Sequence, residues 1–150
     1  MRARYGIAVL VLGCALGGSP AEAAKCTIST TSIAFGSYNV FTSAPMDSTA
    51  TLVFTCTGAK NVSIAIGRGQ STTFLPRTLK KGAEDLHYNL FLDAARSTVW
   101  GDGTGGTGTY LAANPPNNAD MTVTIYGRIP PSQDISAGSY GDTVTVTIDF

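Results

Sequence analysis

The 150-residue chain reads as a small all-β sandwich held by one disulfide, and three observations predict this. No stretch keeps apolar residues at helical spacing for three turns, because Gly, Thr and Pro interrupt every candidate. Apolar residues instead alternate with polar ones over short segments, and turn formers lie between them. Two cysteines remain once the N-terminal segment is set aside, an even number in an exported chain.

That N-terminal segment is read as a secretory signal peptide over residues 1–23. "MRAR" is basic, "YGIAVLVLGCALGG" is apolar, and "AEA" at Ala21–Ala23 has the small-x-small form that precedes cleavage, here before Ala24. The apolar run is too short for a membrane span. A rival reading makes "VLGC" a lipoprotein site with Cys14 as the lipidated residue. The remainder, residues 24–150, is one domain.

Strands follow in order. "TISTTSIAF" (27–35) is first. "TATLVFTC" (49–56) puts Leu52, Phe54 and Cys56 on one face, and "NVSIAIG" (61–67) does so with Val62, Ile64 and Ile66. "LHYNLFLD" (86–93) aligns Leu86, Tyr88, Leu90 and Leu92, and "MTVTIYGRI" (121–129) aligns Met121, Val123 and Ile125. The last, "TVTVTIDF" (143–150), sets Val144, Val146, Ile148 and Phe150 opposite Thr143, Thr145, Thr147 and Asp149. Segments around 72–79 and 107–112 are weaker candidates. Cys26 opens the first strand and Cys56 points inward on the second, so a Cys26–Cys56 bridge ties the two strands together. The chain-entropy model gives such a loop about 3–4 kcal/mol.

Removing residues 1–23 takes Arg2, Arg4 and Glu22 from ten charges of each sign, leaving eight basic and nine acidic residues. No basic field for nucleic acid or anionic lipid results. With one histidine and paired cysteines, no metal site or cofactor is expected. "WGDGTGGTG" (100–108) lacks the Lys-Ser/Thr ending of a phosphate cradle and reads as a flexible loop at the sandwich end. His87 is out of phase with the inward row and has no nucleophile motif beside it. Glu84, Asp85 and Asp93 read as solvated charges, and "NVS" at Asn61 is a weak glycosylation match. No catalytic site is expected; the chain is not read as an enzyme.

The blocks "CTISTTSIAFGSY", "TCTG" (55–58), "YNLFLDAARSTVWGDGTGG" (88–106), "YGRIP" (126–130) and "AGSYGDTVTVTIDF" occur in this order. Together they resemble the spore coat protein U domain family, which includes the Csu-type pilins of the archaic chaperone–usher pathway. The resemblance covers nearly all of residues 25–150. It implies an immunoglobulin-like sandwich of six to seven strands that lacks its last strand. It further implies a periplasmic chaperone, an outer-membrane usher and neighbouring pilus or coat subunits as partners, with display at the bacterial surface. The groove for a donated strand would be lined by Val144, Val146, Ile148 and Phe150, with Ile28, Ile33 and Phe35 opposite. Cleavage before Ala24 leaves only Ala24 and Lys25 ahead of Cys26, too little for a donor strand, so a terminal or non-shaft position is expected. Two other readings stand beside this one. The first is a self-contained coat or matrix protein, with 107–112 folding back as the missing strand. The second is a surface adhesin using Tyr38, Phe41, Trp100 and Tyr110, which sit in or near turns, where large aromatics more often pack against the sandwich end.

Overall fold

The computed structural model describes residues 23–150. The expected signal peptide and the alternative at Cys14 lie outside these residues. Eight strands form: β1 (Lys25–Thr30), β2 (Met46–Thr57), β3 (Asn61–Ile66), β4 (Arg77–Lys81), β5 (Glu84–Phe91), β6 (Tyr110–Ala113), β7 (Asp120–Ile129) and β8 (Val146–Asp149). The count exceeds six to seven because both weak segments became strands, as β4 and β6.

Two antiparallel sheets result. One has the order β1-β2-β7-β5-β4, the other β6-β3-β8. Period-two patterning decides what lies between them. Leu52, Phe54 and Cys56 of β2 are at most 2% exposed, and Val62, Ile64 and Ile66 of β3 at most 1%. Leu86, Tyr88 and Leu90 of β5 and Val123 and Ile125 of β7 complete the core. The Cys26–Cys56 disulfide is present, its residues directly opposed in the β1–β2 register.

β1 ends at Thr30, earlier than the expected 35. Thr31 still donates its N–H to Thr51 O, after which the chain leaves the ladder and crosses the inner face of the large sheet. Ile33 and Phe35 there lie over Gly127 of β7, where a Cβ would collide with both side chains. Gly127 is thus a saddle that lets this crossing segment approach. Among the described residues no helix is long and apolar enough to cross a membrane.

Candidate functional site: a groove beside the last strand

β8 pairs with β3 from Ser63↔Asp149 to Ile66↔Val146, and Gly67 N–H to Thr145 O (2.8 Å) extends the ladder. Its other edge meets no strand among the described residues. β6 does not close it, because β6 pairs with β3 on the side away from β8. The expectation that 107–112 folds back into the slot fails for this reason.

A cavity of about 1040 Å³ opens between the sheets on this side. Leu86, Tyr88 and Leu90 of β5 and Ile125 and Ile129 of β7 contribute its floor, the segment 30–40 one wall, and residues 135–144 with Val146 the other. Four expected groove residues, Ile33, Phe35, Val144 and Val146, line it together. Ile28 and Ile148 are half-buried against the core instead, outside the cavity lining, and Phe150 is 52% exposed. The far wall is therefore the crossing segment after β1 rather than β1 itself.

Asp142 is the one charged side chain in this lining. Asp142 is half-buried on the same parity as Val144, Val146 and Ile148. Its carboxylate accepts the N–H of Gln70 (2.9 Å), the N–H of Thr143 (2.8 Å) and the hydroxyl of Tyr88 (2.7 Å). Burial first, and the bonded carboxylate second, push the Tyr88 phenol far above its usual range, so it stays a donor. Strict alternation, carried two residues back from Val144, would have revealed Asp142; Tyr88 was already in the inward row.

Two polar clusters fasten the walls. Tyr38 donates its hydroxyl to Pro130 O (3.0 Å) and accepts the N–H of Gln133 (2.9 Å). The Gln133 side chain in turn pairs with the His87 backbone, accepting its N–H (2.7 Å) and donating to its carbonyl (2.9 Å). β7 has ended by then, so a side-chain amide takes the place of a ladder neighbour. Further along, Ser136 and Tyr140 donate to Glu84, with Lys81 at 3.6 Å. The Ser136 hydrogen bond, then that of Tyr140, hold the Glu84 carboxyl down at about 2. The antiparallel bridge Lys80↔Gly141 joins this wall to β4.

Arg77, which sequence reasoning missed, is fully buried. It donates to the carbonyls of Ile66, Gly67 and Trp100 and to Asn89 Oδ1, and lies over the Phe74 ring. Burial lowers its pKa, yet every bond goes to a neutral acceptor that fixes the guanidinium between the sheets. No periodic pattern announces such a residue.

The aromatic expectations separate sharply. Trp100 is 0% exposed, donates Nε1–H to Ile64 O (2.8 Å) and packs on Tyr110, so it is removed as a surface contact. Packing against the sandwich, the commoner fate of a large ring in or near a turn, is what Trp100 adopts. Tyr110 is half-buried against Phe54 and Trp100, and Tyr38 is held in the latch just described. Phe41 alone stands out, 93% exposed on the turn Asn39–Thr42. The glycine-rich segment 100–108 is tied at its base, where Gly101 donates its N–H to Gly108 O (2.8 Å) and Gly108 donates its N–H to Val99 O (2.9 Å). No cluster of three or more metal-ligating side chains occurs among the described residues.

Comparison with known proteins agrees with this architecture. The sequence profile of the spore coat protein U domain matches residues 15–147. "Protein U" of Myxococcus xanthus is 34% identical over 111 residues, covering 68% of this chain. The match spans 59% of that relative's length. A chain in the crystal structure of the CsuC–CsuE chaperone–tip adhesion subunit pre-assembly complex, from the archaic chaperone–usher Csu pili of Acinetobacter baumannii, superposes with a TM-score of 0.57. That match has 22% identity and covers 85% of this chain and 40% of the other, a likeness of fold.

Proposed function

Because the chain belongs to the spore coat protein U domain family, we propose that it is an exported structural subunit of a chaperone–usher pilus or surface coat. It assembles by accepting a β-strand from another polypeptide into the groove beside β8. The observation that carries this is the unpaired β8 edge bordering a cavity of about 1040 Å³ whose floor, Leu86, Leu90, Ile125 and Ile129, is apolar. Backbone pairing along the edge supplies affinity, and alternate side chains fill the cavity. Left uncovered, such an edge invites indiscriminate pairing. A periplasmic chaperone would lend a strand first, and an outer-membrane usher and neighbouring subunits would follow. With cleavage before Ala24, this subunit accepts a strand and donates none, which suits a terminal or non-shaft place at the cell surface.

The test is to refold the disulfide-bonded protein with and without a peptide of about ten alternating residues, the length that spans a sandwich edge at ~3.3 Å per residue. At a hundredfold excess over Kd the peptide is expected to add about 2.7 kcal/mol and to suppress aggregation. Equal stability with and without peptide, in a monomer fully protected from exchange along 143–150, would favour the self-contained coat protein instead.

A further inference from the structure

A strand entering this groove meets a single carboxylate in an otherwise apolar row. Asp142 shares the inward parity of Val144 and Val146, and all three line the cavity. Three donors reach Asp142, from Gln70, Thr143 and Tyr88. An ionised carboxylate has acceptor capacity for about four. No direct ion pair among the described residues involves it, and the cation that feels its charge, Arg77, spends its own bonds on neutral acceptors. The group is also held still. Gly69, at φ +64°, backs against it so closely that any Cβ would collide with the carboxylate. Asp142 is half-buried, and an incoming strand would cover its remaining exposed surface, a loss of solvation that must be made good by a donor on that strand.

We propose that Asp142 sets the register of the incoming strand. It selects a hydrogen-bond-donating side chain, lysine above all, at the one inward position that falls beside it, with apolar residues at the positions facing Val144 and Val146. The inference rests on the strand-acceptor function above and adds what that function lacks. A slip by one residue turns the apolar row outward and is rejected by any apolar groove. A slip by two keeps the row inward, and a uniformly apolar groove would tolerate it. With Asp142 in the row, the two-residue slip sets an apolar side chain against a charge and a lysine against valine. Both mismatches leave a charge desolvated without a partner.

The test is a peptide panel of about ten residues each, alternating valine and threonine, with each inward valine replaced in turn by lysine. Binding to the disulfide-bonded protein is followed by fluorescence anisotropy. Lysine at one inward position should tighten binding roughly 10–100-fold over the all-valine parent, the range of a hydrogen bond to a charged group, and should weaken it elsewhere. In Asp142→Asn the gain at that position should collapse. Lysine that weakens binding at every inward position, or a preference that survives in Asp142→Asn, overturns the register rule while leaving the strand-acceptor function standing. Failure of every peptide to bind would overturn that function and the register rule with it. Should the Asn variant not fold, the panel on the unaltered protein decides alone.

Discussion

β2 and the C-terminal strand carry the same alternation, yet they live in different surroundings. Leu52, Phe54 and Cys56 lie between β1 and β7 in one sheet and under β3 of the other, at 0–2% exposure. Val144, Val146 and Ile148 repeat the pattern but are only half-buried, because β8 has a neighbour on one side alone. Alternation reports which face a side chain takes. How deeply it is buried depends on what covers that face.

Several experiments would break or sharpen this contrast. The largest effect belongs to the closed end. Trp100→Ala should cost about 3–5 kcal/mol, since it opens a cavity and removes the Nε1–H bond to the Ile64 carbonyl; denaturant unfolding reads it. An effect under about 1 kcal/mol would return Trp100 to the surface aromatics. Replacing both Cys26 and Cys56 by serine should cost about 3–4 kcal/mol, loosening β1 and the crossing segment while β3, β6 and β8 keep their exchange protection. Val146→Ala should cost only about 1 kcal/mol in the lone protein, against about 2–5 for Leu52→Ala. Its cost should rise once a strand peptide fills the groove, and a constant difference would show that the groove is already closed.

The smallest effect is electrostatic. Hydrogen bonds from Ser136 and Tyr140 depress the Glu84 carboxyl from 4.5 to about 2. A depressed acid stabilises the folded state fully above its unfolded value, and that contribution is lost as pH falls from about 4.5 towards 2. Hydrogen exchange along 132–141 should therefore quicken over this window, and Glu84→Gln should abolish the pH dependence.

The alternation in β2, β3, β5 and β7 was legible in the sequence because each has its apolar face wholly covered. The end of β1 was not, since Thr30 and Ile33 belong to one polar-apolar run and nothing local says that the chain leaves the ladder between them. That departure is decided by Gly127, almost a hundred positions downstream. Val144 and Val146 were readable as groove residues from period two. Asp142 was passed over because its charge masked its parity. Arg77 illustrates the same limit, for a buried polar group is placed by partners elsewhere in the chain, whereas burial of Trp100 follows from the size of its ring. Gln133 stands in for a strand, which no strand pattern can encode.

The Cys26–Cys56 bridge has a mechanical consequence. Tension applied to the chain ahead of Cys26 would pass through the sulfurs directly into the end of β2. The intervening chain, 30 positions in separation, is shielded from extension, a hidden length of ~100 Å at ~3.3–3.6 Å per residue. Ile33 and Phe35 lie within that shielded stretch, so load from the N-terminal side cannot peel their wall away from the groove.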